Sequence, residues 1–369
     1  MGELKIPGFV DMHVHFREPG FKYKETIKSG SAAAAAGGFT TVCTMPNLDP
    51  VPDDEESLKI QRDIIAKDAI ITVIPFASIT KGRKGDNLVN YAALAPYVAG
   101  FSDDGSGVQS EEVMREAMKG IAATGKILAA HCEVELLVRG GYVNDSALLR
   151  SKGHRGICAE SEWMEIERDI RLAEETGCRL HICHVSTKEG VMLVRNAKRR
   201  GVKVTAETAP HYLMFCDEDI RDEGRFKMNP PIRCKADMEA LREGLADGTV
   251  DIVATDHAPH SFNEKNGGLR NSAMGIVGLE TAFPAVYTVM VKSGLMPISR
   301  LIDAMSLKPR EILELPLEEG DYTLVDTDRE IVIDSRNFRS MGKSSPFDGM
   351  ALWGEIRATY HNNKNVFPE

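Results

Sequence analysis

Several features are missing from this chain of 369 residues. Its seven cysteines are scattered and include no CxxC pair, so no thiol metal motif or dithiol redox motif is read from them. Their odd number does not suggest a disulfide framework, and reduced thiols in a cytoplasmic protein are expected. The opening MGELKIPGF lacks a basic start followed by a long apolar stretch, so no secretory leader is read there. No apolar run is long enough to cross a bilayer. Cationic charge is short as well. Lys and Arg number 45 against 55 Asp and Glu, a formal net charge of −10, which argues against nucleic acid or an anionic membrane as the main partner. The first apolar run is not followed by GxGxxG, which weakens a dinucleotide-binding reading.

What is present is alternation. Eight short apolar runs rich in β-branched residues recur: GFVDMHVH (8–15), FTTVCTMP (39–46), AIITVIPFAS (69–78), YVAGFSDD (97–104), KILAAHCE (126–133), CRLHICHVS (178–186), VKVTAETAP (202–210) and VDIVATDHAP (250–259). Between them lie stretches with helical spacing. SEEVMREAMKGIAATG opens on Ser110, a suitable N-cap, and two other such stretches stop at Gly177 and Gly201. Eight strand–helix units predict an α/β fold with a parallel sheet closed into a (β/α)8 TIM-like barrel over residues 8–315. Residues 261–278, rich in Gly, Asn and Ser, read as a long mobile loop. Two later strand-like runs predict a small, reduced β module from residues 1–7 and 316–369.

In such a barrel the chemistry gathers where the strands end. The first run ends in His13 and His15, two apart and so on one side of a strand. The fourth ends in Asp103 and Asp104, the fifth in His131, the sixth in His184, and the eighth in Asp256 and His257, with His260 close behind. His181, three residues from His184, is expected to face away and pack. Cys132 and Cys183 adjoin histidines and are likewise expected to face away. His154 and His361 read as surface residues. Imidazole and carboxylate without thiolate suit Zn²⁺ or a similar ion. Six such groups exceed one tetrahedral site and suit two ions sharing a bridging carboxylate and a bridging hydroxide.

The strings PGFVDMHVHFREPG, TMPN, HICHVST, NPPIR, TDHAPH and GIVGLET resemble the dihydroorotases of the amidohydrolase superfamily, in the right order over nearly the whole chain. That resemblance implies zinc-dependent, reversible cyclisation of N-carbamoyl-L-aspartate to L-dihydroorotate, a step of pyrimidine synthesis. It assigns His13, His15 and Asp256 to one Zn²⁺, and His131 and His184 to the second. Asp104 stands where many relatives carry a bridging carboxylated lysine. Arg17 and Asn47 would bind the substrate carboxylate, and Asn229 and His260 would make further substrate contacts. Met274 and Gly275 would offer backbone groups to the ring amide. Asp256 would accept a proton from the attacking water and pass it to the departing nitrogen. The alternatives are another cyclic amidohydrolase, allantoinase or hydantoinase, and a non-catalytic dihydroorotase-like structural partner. Only about seven residues precede the first motif, fewer strands than the resemblance implies. A homo-oligomer, or aspartate transcarbamoylase, is therefore expected to cover the reduced module.

Overall fold

A computed structural model describes residues 2–368. All eight expected runs contain a strand, and these strands are parallel. They are β2 (Phe9–Val14), β3 (Phe39–Thr44), β4 (Thr72–Pro75), β5 (Gly100–Ser102), β6 (Ile127–Ala130), β9 (Arg179–Ile182), β10 (Val204–Thr208) and β11 (Ile252–Val253). The short pair β7 (Val143–Asn144) and β8 (Gly156–Ile157) forms a separate ribbon between β6 and β9. One sheet runs β2-β3-β4 and the other β11-β10-β9-β6-β5. Isolated parallel bridges join them at both seams, Ala77 to Phe101 and Val14 to His257. At the second seam the His15 backbone N–H donates to the His257 carbonyl at 2.8 Å.

The strands form because both of their faces are covered. Every residue of β2 and β3 is buried, so neither strand alternates a buried face with a solvated one. One face gathers Met12, Cys43, Met45, Phe76, Ile127, Ala129, Cys183 and Ile252. The other meets the helices in a larger cluster. The helices start where small polar side chains cap them. Thr26, Asp54, Ser110 and Thr187 each accept a backbone N–H from the first turn, a cap worth about 1 kcal/mol. The helix Glu160–Thr176 ends at Gly177, whose φ of 72° suits glycine. The alanine-rich helix Ile27–Ala36 packs so closely that a Cβ on Gly30 would lie 2.4 Å from the Phe16 ring.

The strands are shorter than the apolar runs that predict them, notably β4, β5 and β11. After β2, β9 and β11 the pleat ends at a residue of positive φ. Arg17, His184 and Asp256 take positive φ values of 57°, 34° and 48°, a backbone region costly for non-glycine residues. There the chain leaves the pleat and swings polar side chains inward. Residues 261–278, read as a long loop, carry local structure. They form two helical turns, Phe262–Lys265 and Gly268–Asn271, and Lys265 Nζ donates to the carbonyls of Lys227 and Ala273 at 3.0 and 2.7 Å.

The terminal segments form a separate antiparallel sheet in the order β1-β12-β13-β14: β1 (Glu3–Pro7), β12 (Tyr322–Val332), β13 (Ala351–His361) and β14 (Lys364–Phe367). The last of these was not expected. The sheet docks through Thr359, whose hydroxyl donates to the Ala35 carbonyl at 2.7 Å. Beneath it Phe9 stacks on Phe283 at 5.4 Å between centroids. No helix among the described residues is long and apolar enough to cross a membrane.

Candidate active site

The strand ends bring the six metal-type side chains together. His13 Nε2 lies 3.3 Å from Asp104 Oδ1 and 3.6 Å from Asp256 Oδ1. His15 Nε2 lies 3.0 Å from Asp256 Oδ1 and 3.4 Å from Asp104 Oδ2. His131 Nδ1 and His184 Nε2 are 3.0 Å apart, and each is within 3.4 Å of Asp104 Oδ1. One carboxylate thus faces all four imidazoles. None of the six residues is more than 7% exposed.

Neighbouring Asp103 has a different fate. Its carboxylate accepts from the backbone of Ile79 and Thr80 and from the Thr80 hydroxyl, and burial pushes its pKa up to about 6. It ties the end of β4 to β5 and takes no part in the cluster.

The electrostatics of the cluster favour a cation. Burial opposes charge throughout it. Even so, facing His13, His131 and His184 hold the Asp104 carboxyl well below its ordinary range. Burial also opposes protonation of His13, yet Asp104 and Glu207 raise its pKa well above the usual value. His131 is pushed up to about 10 against the same burial, by Asp104 and Glu133. The field that draws protons onto these rings would equally hold a metal ion in their place. The donor spacings agree. Zinc bonds of about 2.0–2.1 Å set two donors of one tetrahedral ion about 3.3 Å apart. His13 Nε2, at the centre of the group, is buried and has no hydrogen-bond partner. The residues present therefore fit a pair of such ions.

A cavity of about 230 Å³ opens on this cluster. Its wall includes every residue expected to touch substrate: Arg17, Asn47, Asn229, His260, Met274 and Gly275. Arg17 Nε donates to the Pro259 carbonyl at 3.3 Å, and burial lowers its pKa to about 10, which leaves it charged at neutral pH. Asn47 Oδ1 accepts from His15 Nδ1 at 2.8 Å, so it orients a metal-type histidine as well as lining the cavity. Asn229 Nδ2 donates to Glu133 at 3.0 Å, and its buried Oδ1 has no partner. His260 is kept neutral, its pKa lowered to about 3 by burial and by Arg17 and Lys24. Its Nε2 meets the Met274 carbonyl at 2.8 Å. The Gly275 N–H donates to the Lys227 carbonyl at 3.1 Å. A larger cavity of about 460 Å³ lies on the far side of His260, against Arg225, Phe262 and Lys343, and lacks the metal-type cluster.

A family model described as dihydro-orotase-like matches residues 2–190. The chain is 48% identical over 376 residues to a protein named dihydroorotase from Bacillus subtilis (strain 168), covering all of this chain and 88% of that one. The chain belongs to the dihydroorotase family. Its fold is shared more widely. L-hydantoinase (dihydropyrimidinase) from Arthrobacter aurescens superposes with a TM-score of 0.88 at 26% identity, over 98% of this chain and 85% of that one. The inactive dihydroorotase-like domain of the CAD-like multifunctional protein from Chaetomium thermophilum matches at a TM-score of 0.73 and 18% identity, over 99% and 95% of the two chains. At that identity the likeness concerns the fold alone.

Beside these family features, two expectations about β9 need correcting. His181 does not face away from the site. It points toward the cluster and meets Glu207 Oε2 at 3.0 Å. Cys183 also lies inside, its sulfur grouped with His13 and Glu207. Strict alternation would have put His184 on the opposite side from both, but its positive φ breaks the alternation and returns it to the centre. Cys132 does face away, its sulfur 3.7 Å from Asp169. His154 and His361 are partly exposed, as expected, and His361 pairs with Asp321 at 3.0 Å. Sequence reasoning passed over three residues beneath the site. Asp11 accepts from the Thr255 hydroxyl at 2.6 Å and the His13 N–H at 3.0 Å. Glu207 contacts His13. His211 is buried with both ring nitrogens unpartnered. A carboxylate inside an apolar run, such as Glu207 in VKVTAETAP, was the available signal.

Proposed function

We propose that this chain is a dihydroorotase that opens L-dihydroorotate and cyclises N-carbamoyl-L-aspartate, within pyrimidine synthesis. The observation that carries the reading is the meeting of four imidazoles on Asp104 beside a buried, charged Arg17 in one cavity. The alignment with curated relatives over the full chain supports it.

In this reading His13, His15 and Asp256 would hold one Zn²⁺ and His131 and His184 the other, with the Asp104 carboxylate shared between them. Such ions supply Lewis acidity toward a carbonyl and a lowered pKa for water. The remaining work falls to the chain. Arg17 binds the substrate carboxylate through its planar fork of donors, and Asn47 assists from the same wall. Asn229 offers its unpartnered carbonyl oxygen to a ring N–H. His260 shapes the floor and fixes the Met274 carbonyl, which keeps a second lone pair for substrate, and Gly275 lets the wall approach closely. Asp256 takes a proton from the attacking water. As the C–O bond forms and the ring C–N bond breaks, it returns that proton to the departing nitrogen. Cyclisation runs the same transfers backwards.

The eight strands, bridged at both seams, are read as a closed (β/α)8 barrel spanning 8–315, with 1–7 and 316–369 as the reduced β module. The outer strands β1 and β14 leave edges, and a second copy of the chain or aspartate transcarbamoylase is the proposed cover. The setting proposed is the cytoplasm. The test is turnover of dihydroorotate and carbamoyl-aspartate, with and without added zinc. Zinc-stimulated turnover in both directions is expected. A protein that opens hydantoins or allantoin while ignoring dihydroorotate overturns the substrate. A folded protein that binds no metal and turns nothing over overturns the enzyme.

A further inference from the structure

We propose that Glu207 is a positioning residue that presets two metal-binding histidines from different strands, aiming the His13 ring and pinning the His184 backbone. The inference rests on the metal reading above. It starts from a carboxylate only 1% exposed, placed on β10 beneath the cluster. Glu207 Oε1 is 2.7 Å from His13 Nδ1 and 3.1 Å from the His184 backbone nitrogen. Glu207 Oε2 is 3.0 Å from His181 Nε2, and His181 Nδ1 is 2.8 Å from the Thr205 hydroxyl. One side chain therefore ties β2, β9 and β10 together at the level of the site.

Each contact has a chemical consequence. An ionised carboxylate only accepts hydrogen bonds, so His13 must carry its proton on Nδ1. Its Nε2 then presents a lone pair toward Asp104 and Asp256, which is what a metal ligand needs. The carboxylate also makes that ring a stronger donor to a cation. The second contact holds strain. His184 sits at φ 34°, and conformations of this kind persist only where the surroundings impose them. The bond from its N–H to Glu207 is such a restraint. His181 completes the anchor by fixing the other oxygen.

A competing assignment makes Glu207 itself a ligand, with His13 and Cys183, whose donor atoms lie within 4.8 Å of one another. The 2.7 Å separation of Glu207 from His13 argues against it. Two donors of one zinc ion stand about 3.3 Å apart, whereas this distance is that of a direct charge-assisted hydrogen bond.

The test compares zinc binding by wild type, Glu207→Gln and Asp251→Asn, using chelator competition, together with the visible spectrum of each protein loaded with Co²⁺. Asp251 is a control on the same strand pair. Its carboxylate accepts from the Ala206 N–H at 2.8 Å and from Lys198, neither of them a metal-type side chain. Glu207→Gln is expected to weaken zinc binding about 10–100-fold and to change the Co²⁺ spectrum. Asp251→Asn should lower the melting temperature and leave both metal readouts unmoved. Unchanged affinity and spectrum in Glu207→Gln overturn the proposal, as does an equal loss of affinity in Asp251→Asn. Absence of metal from wild type itself overturns the underlying reading, which sets that failure apart. Should Glu207→Gln not fold, nitrogen NMR of zinc-loaded wild type decides. A proton on His13 Nδ1 supports the proposal, and a proton on Nε2 overturns it.

Discussion

Two buried polar regions lie on either side of His184, and they are built on opposite plans. Behind it, the Glu162 carboxylate accepts from the backbone of Ser186 and Thr187 at 2.9 and 3.0 Å and from both hydroxyls, with Arg233 3.8 Å away. Every group there has found a partner. In front of it, four imidazoles and two carboxylates face one another, and His13 Nε2 has none. Both regions are equally buried, so solvent does not distinguish them. The difference is closure. A polar cluster that completes its own hydrogen bonds holds the fold together, and one that leaves convergent acceptors without a donor is built for something added.

That contrast can be broken by experiment, and the largest effect belongs to the open cluster. Asp256→Asn should lower turnover by at least about 10³-fold in both directions while the protein stays folded, since proton transfer by a placed side chain contributes about 10²–10⁴-fold and a metal-type carboxylate is lost as well. Initial rates and circular dichroism check it, and near-normal rates would refute the role. Stripping metal with a chelator should lower the melting temperature reversibly. An ion present at about 1,000 times its Kd stabilises by about 4 kcal/mol, and calorimetry with zinc added back measures the recovery. The closed cluster should respond in the reverse sense. Glu162→Gln should cost about 2–4 kcal/mol in denaturant unfolding, because it breaks a buried network, yet leave the zinc content intact. Loss of zinc with retained stability would erase the distinction. Arg17→Lys should raise KM for a carboxylate substrate and cut kcat/KM about 10–100-fold, because a point charge replaces a two-toothed contact. The smallest effect concerns Glu280, which accepts from the Arg339 and Ser340 backbone. Burial raises its pKa from 4.5 to about 7. The unfolded chain then releases this proton at lower pH than the folded one, so stability falls as pH rises from about 4.5 to 7. Glu280→Gln should flatten that part of the profile in urea titrations.

The order of the eight strands was legible because strands buried on both faces leave short runs rich in apolar and β-branched residues, as in FVDMHV and FTTVCT. The ends of those strands were less so. His13, His15, Asp104, His131, His184 and Asp256 could be picked out because metal-type groups at the ends of apolar runs stand out. The supports beneath them could not, since reading a side chain's direction assumes a regular pleat. At His184 the chain abandons it, and the directions assigned to His181 and Cys183 fail together. Glu207 and Asp11 are hidden for another reason. Each lies within a run otherwise taken as core, and only the partners contributed by distant strands, His13 and Thr255, disclose its use.

The seam between β2 and β11 has a consequence for the order of events during synthesis. His15 and Asp256 meet across it although 241 residues separate them. A ribosome working from the amino end completes five of the six converging groups well before the last exists. The nascent polypeptide therefore carries an unfinished basin of imidazoles, and the convergence is complete only after the eighth strand has emerged and locked against the first.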